Sequence, residues 1–207
     1  MDVERTYRVF ISSTFNDLTE ARKAVVAGVS FCRHVPVALD TYGPEDAADL
    51  DVISRETKKS HIYILILGYR YGSIPAGSDK SYTEIEFRHA EEARKPILVF
   101  ALSWPEILKQ RKIKELDAVE QDNQTKLHKF HSYITKGDHF YKPFELGKED
   151  ILEKYVIHRL STIPSEANPP KGLVEEIDNP DEQIAVGAAR NMFLSPIIKS
   201  IVGFEKL

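Results

Sequence analysis

Ile62-Tyr-Ile-Leu-Ile-Leu67 runs directly into Gly68-Tyr-Arg-Tyr-Gly-Ser73, and eight residues further on stands Ser81-Tyr-Thr-Glu-Ile-Glu-Phe-Arg-His-Ala90. The first run is apolar throughout rather than alternating, which is how a strand buried on both faces of a parallel sheet reads. A buried strand that ends in a glycine-flanked aromatic loop, followed by a helix with two acids in its first turns, puts carboxylates at the carboxyl edge of the sheet. Open α/β sheets bind their ligands in the crevice at that edge. The sequence therefore locates a pocket before it identifies a ligand.

Working outward, Tyr7-Arg-Val-Phe-Ile-Ser12 reads as the first strand and Asp17-Leu-Thr-Glu20 as a capping-box-like helix start. The helix that follows has Leu18, Ala21, Val25, Val29 and Cys32 on its apolar face. Val35 to Leu39 is the second strand, with Pro36 near its beginning, and Pro44 opens a helix with Leu50 and Ile53 inward. A helix spans about Ser81 to Arg94, and Ile97-Leu-Val-Phe-Ala-Leu102 is a fourth strand, again continuously apolar. Past Trp104-Pro105 the pattern loosens into a polar segment. Leu127, Phe130 and Ile134 then mark a helix, His139 to Phe144 an edge strand broken by Pro143, and Ile151 to Arg159 a last amphipathic helix. This alternation predicts an α/β, flavodoxin-like three-layer sandwich whose mostly parallel five-stranded sheet runs in the order 2-1-3-4-5. The switch point then falls between strands one and three. Residues 1–163 form this domain, and residues 164–207 a proline-containing linker and helical segment with spacing at Ile184, Ala188 and Met192.

Composition narrows the function classes. The chain has 207 residues, a formal net charge of -4 and no concentrated basic stripe, which argues against a nucleic-acid partner. Its single cysteine, Cys32, excludes an intramolecular disulfide and suits a reducing compartment. The charged N-terminus and the absence of a long apolar run predict a cytoplasmic protein with no membrane association.

The candidate chemistry lies at Glu84 and Glu86, and spacing alone does not rank them. Ser81 to Glu84 has capping-box spacing and would leave Glu86 free to face the crevice; Thr83 to Glu86 has the same spacing and would reverse the roles. Tyr69 and Tyr71 either stack on a flat base or nicotinamide ring or pack over the following helix. Arg70 either pairs with a phosphate through its planar fork or with an acid such as Asp46. Ser12 and Ser13 end the first strand beside a helix N-terminus, where free amides favour anions or sugar hydroxyls. Ser-Ser-Thr-Phe-Asn-Asp lacks the glycines of both the dinucleotide fingerprint and the P-loop. No serine sits in a Gly-x-Ser-x-Gly elbow. His128 and His131 have no cysteine or acidic set to complete a metal site, so they read as a solvated helix face.

Three blocks together resemble the signature of a TIR-like domain of unknown function. They are Arg8 to Arg22 (Arg-Val-Phe-Ile-Ser-Ser-Thr-Phe-Asn-Asp-Leu-Thr-Glu-Ala-Arg), His61 to Ser73, and Ser81 to Phe87. That family is found at the N-termini of NACHT and other STAND-type NTPases and of repeat-containing signalling proteins, so the resemblance implies an adjoining NTPase or repeat domain as a possible partner. Ala21 departs from the family pattern, which more often has a second glutamate before the arginine.

The family is in turn similar to two better understood groups. TIR domains that cleave NAD place a glutamate four residues after an aromatic on the helix following the third strand, and Tyr82 to Glu86 has that spacing. Nucleoside 2-deoxyribosyltransferases carry a catalytic glutamate followed four residues later by alanine, as Glu86 and Ala90 do. Both resemblances select Glu86. They imply a catalytic Glu86 with Ser12, Ser13, Phe15, Tyr69, Arg70, Tyr71 and Tyr82 lining a nucleotide site, no metal, and no cofactor beyond NAD as substrate. The activity implied is an NAD nucleosidase acting in immune or antiphage defence, with self-association. The alternatives are a non-catalytic adaptor or sensor module and a nucleoside deoxyribosyltransferase-like enzyme.

Overall fold

A computed structural model describes residues 6–38 and 50–166. Five strands form one sheet: β1 (Arg8–Ser13), β2 (Val35–Val37), β3 (Ile62–Leu67), β4 (Ile97–Leu102) and β5 (Phe140–Phe144). The order is β2-β1-β3-β4-β5 and every pairing is parallel. This is the flavodoxin-like arrangement expected from the alternation of elements. β3 and β4 are buried at every position. A central strand of a parallel sheet is covered on both faces, so apolar side chains dominate both. β5 is the edge strand that Pro143 requires, because proline has no N–H to give to a further neighbour.

The helices are α1 (Thr19–Phe31), α2 (Leu50–Lys59), α3 (Tyr82–Glu92), α4 (Trp104–Ile113), α5 (Ala118–Asp122), α6 (Gln124–Lys136) and α7 (Glu149–Glu166). α1 buries Ala21, Val25 and Val29 as its spacing requires, while Cys32 falls at its C-cap. Cys32 is half-buried, its thiol pushed up by burial, and Sγ donates to the Ile157 carbonyl of α7 at 3.8 Å. α3 buries Phe87 and Ala90, and Leu152, Val156 and Leu160 form the buried stripe of α7.

Several expectations are corrected. Asp17 does not cap α1, whose N-cap residue is Leu18 without a side-chain bond; the carboxylate is used elsewhere. Leu50, expected inward, is 38 % exposed at the first turn of α2, while Ile53 is buried. The segment after Trp104 is helical: Ser103 takes the N-cap position and Pro105 the first turn of α4, where a missing N–H costs nothing. His131 is buried and donates from Nε2 to the Leu102 carbonyl at 2.9 Å, so of the α6 histidine pair only His128 lies on the solvated face. α7 continues through Pro164 to Glu166, into the stretch read as linker. Leu39, Pro44, Asp46 and the helical spacing from residue 183 to 202 lie outside the described residues. No described helix is long and apolar enough to cross a membrane.

Candidate functional site

Glu86 projects from the core-facing stripe of α3, one position before Phe87 and three after Thr83, all buried. That stripe packs on the sheet, so helical spacing alone drives the carboxylate inward. It arrives at the carboxyl-terminal part of β1, where Ser12 Oγ donates a short hydrogen bond to Glu86 Oε2. Ser12 is 1 % exposed and Glu86 9 %. Desolvation disfavours the charged form and pushes the carboxyl up from 4.5 to about 7, against the pull of the Ser12 bond and the Arg22 charge. Arg22 comes from α1, is buried, and is lowered by that burial to about 10, with Glu86 and Asp17 opposing the shift. It therefore stays cationic at neutral pH. Tyr63 of β3 completes the surroundings: it is wholly buried, and its Oη has no hydrogen-bond partner.

Helix capping does not compete for either glutamate. Ser81 is the N-cap of α3 and accepts from the Glu84 N–H at 3.3 Å. The Glu84 carboxylate leaves the helix end and accepts from Tyr71 Oη at 2.8 Å and from Arg88 at 3.1 Å. Only half of the capping box forms, and Glu86 has no part in it.

The glycine-flanked loop after β3 is held by acids. Asp17 Oδ2 accepts from the N–H groups of Tyr69 and Arg70 at 2.9 and 3.1 Å. Glu120 of α5 accepts from Tyr71 and Gly72 at 2.9 and 2.8 Å. Four successive amides are thus satisfied by two carboxylates. Asp17 is further bonded by the Thr14 hydroxyl, and burial raises its proton affinity. Arg111 of α4 balances the acids: it donates to the Tyr69 carbonyl at 2.8 Å and to the Glu120 carbonyl, and lies 3.6 Å from the Glu120 carboxylate. Gly68 has to be glycine because an added Cβ would sit 2.3 Å from Asp17 Oδ2. Gly72 has φ +91, a left-handed value that side chains rarely adopt.

The fold brings Ser12 and Glu86 together and distributes the other expected site residues around them. Ser13 ends β1 with its Oγ buried and unbonded. Phe15 is 63 % exposed in the following loop, with the Arg22 guanidinium 5.3 Å from its ring centre. Tyr82 is half-buried at the first residue of α3, its N–H donating to Ser73. Tyr69 and Tyr71 are both buried; the Tyr71 hydroxyl is spent on Glu84, so packing rather than open stacking describes its ring. Arg70 lies 3.4 Å from Asp117, an acid the sequence reading did not consider.

Arg22, Glu120, Arg111 and Tyr63 are not site residues that the sequence points to, and Asp17 reads there only as a helix start. Arg22 had a signal, since it falls four residues after Leu18 on an otherwise apolar stripe. Glu120 had none. No group of three or more metal-ligating side chains occurs among the described residues.

Residues 8–160 match the family described as Domain of unknown function (DUF4062), and the chain belongs to that family. No curated protein matches it.

Proposed function

We propose that this member of the DUF4062 family is a TIR-like effector that cleaves the N-glycosidic bond of NAD or a related nucleotide, with Glu86 as the catalytic carboxylate. One observation carries the reading: Glu86 is desolvated at the carboxyl edge of the sheet, bonded to Ser12 and faced by Arg22, rather than engaged in capping α3. A carboxylate removed from water is a strong stabiliser of positive charge on a neighbouring sugar carbon.

In this reading the bond between C1′ and the pyridinium nitrogen breaks with its electron pair moving onto nitrogen, so nicotinamide leaves neutral. Ionised Glu86 stabilises or traps the oxocarbenium-like sugar. Water then adds at C1′ and gives up a proton, which the carboxylate accepts and passes to solvent. Ser12 and Ser13 line the ribose or phosphate side, Phe15 offers an exposed ring face, and the Arg22 charge favours the ionised form of Glu86 against its burial. Because the carboxylate is the working form, kcat/KM rises with pH through a midpoint near 7 in the free enzyme. The resemblance to TIR-like domains supports a role for this chemistry in immune or antiphage signalling, with self-association as the trigger.

The test is incubation of concentrated protein with NAD, read by chromatography, beside Glu86→Gln. The wild type should release nicotinamide and the variant should lose at least about a hundredfold in rate. Unchanged NAD under forced-oligomer conditions, or full activity of the variant, removes the reading. A nucleoside panel scored for free base separates it from deoxyribosyl transfer.

A second reading is a non-catalytic module that signals by self-association. The Gly68–Gly72 loop favours it, because Asp17 and Glu120 already hold the N–H groups of residues 69–72 and leave no amide donor there for a phosphate. On this reading surface substitutions abolish signalling by the complete protein and Glu86→Gln does not.

A further inference from the structure

Tyr63 carries a polar group that the core does not need. Its ring stacks on Phe10, its register partner in β1, with centroids 5.6 Å apart, and meets the Phe87 ring edge-on at 6.2 Å. Phenylalanine would make both contacts. The hydroxyl adds a buried donor with no partner, which destabilises the fold and calls for another explanation.

Its surroundings supply one. Ser12 follows Phe10 by two residues on the same face of β1, and Glu86 precedes Phe87 on α3. The phenol therefore ends beside the Ser12–Glu86 bond. It lies close enough to feel the Ser12 hydroxyl and the Glu86 charge, with Glu91 of α3 a weaker neighbour, yet it forms no bond of ordinary geometry. Ser12 has one proton to give, and here gives it to Glu86. Turning that proton toward a sugar hydroxyl would strip a buried carboxylate of its donor at the step where it must be anionic. Arg22 from α1 is the only cation that acts on Glu86 among the described residues.

We propose that Tyr63 is a positioning residue, a reserve donor whose hydroxyl takes over Glu86 when Ser12 turns toward the substrate. The role of Ser12 toward a sugar rests on the nucleosidase reading; the exchange of donors on Glu86 does not. Tyr63 thus trades fold stability for control of the acid.

The exchange is measured in the whole chain by carbon-13 NMR of labelled glutamate carboxyls, with Glu86→Gln identifying the signal. Tyr63→Phe alone should barely move the Glu86 midpoint, because the hydroxyl is unbonded at rest. Ser12→Ala should raise it modestly, since Tyr63 steps in. The double variant should raise it by about one further unit, the effect of losing a donor to a charged acceptor. A double variant that titrates like Ser12→Ala overturns the proposal. Ser12→Gly with Tyr63→Phe provides the same comparison if the alanine pair does not fold.

Turnover gives a second readout. Tyr63→Phe should lower kcat for NAD about tenfold with KM unchanged, while its melting temperature stays level or rises. Unchanged kcat in an active protein overturns the proposal and leaves the nucleosidase reading standing. An untouched NAD pool together with a non-additive titration removes that substrate and leaves Tyr63 in its role.

Discussion

The Gly68–Gly72 loop and the Ser12–Glu86–Tyr63 cluster lie at the same edge of the sheet and treat polar groups in opposite ways. In the loop the N–H groups of residues 69–72 each have an acceptor, two carboxylates take two apiece, and Arg111 balances the charge. In the cluster a buried acid has its proton affinity raised, a buried tyrosine hydroxyl is unpaired, and the Ser13 hydroxyl next along β1 is unpaired too. Satisfied polar networks fix a structure, whereas unsatisfied buried groups cost stability and persist where they do something else. The aromatic loop, which looks more like a ligand site in the sequence, is the architectural part. The quieter serine and glutamate form the part with a buried, desolvated acid, and it is there that the proposed chemistry lies.

The sharpest way to break this contrast is Glu120→Ala. It removes the acceptor of two amides and the carboxylate opposite Arg111, whose side chain is only 4 % exposed. Breaking a buried pair in this way should destabilise the domain by about 3–5 kcal/mol in chemical denaturation. A loss below about 1 kcal/mol would mean that the loop is not held by its acids.

Glu86 should behave in the opposite sense. Its folded-state value of about 7 stands above the ordinary 4.5, so the folded protein keeps a proton that the unfolded chain releases between those values. Its contribution is full below pH 4.5 and is lost as pH rises through 7, a difference of about 3 kcal/mol. His34 and His61, lowered by burial, act the other way and lose stability as pH falls below 6.5. The informative quantity is therefore wild type minus Glu86→Gln. That difference should change by about this amount between pH 4.5 and 8, and a flat difference would place Glu86 in an ordinary solvated setting.

The smallest expected effect is at Tyr71→Phe. It deletes one bond to Glu84 and should cost about 1 kcal/mol in thermal or urea unfolding. NAD cleavage should be unchanged, because the Tyr71 ring serves packing. A large loss of turnover with intact stability would return the loop to the ligand site.

How much of this was legible follows from the range over which each feature is encoded. β3 and β4 could be read to the residue, because an unbroken apolar run has few alternatives. α4 was missed although Ser103 and Pro105 are ordinary helix-start signals; its weak amphipathic pattern hid them. Asp17 was legible as an acid at a helix start and was misassigned for that reason. Its true partners, the N–H groups of Tyr69 and Arg70, lie 52 and 53 positions away. Arg22 stood out only as a charge on an apolar stripe.

By itself the sequence determined the alternation of elements and the order of the sheet, since helical and strand periodicities are local properties of the chain. Only the tertiary structure decided what each acid does. Ser12 meets Glu86 across 74 residues, and Glu120 reaches the loop across 48 and 49. Whether a carboxylate becomes a clamp or a poised acid depends on how many donors the fold brings to it and how much water it removes. Neither quantity is a property of the residue or of its neighbours in sequence.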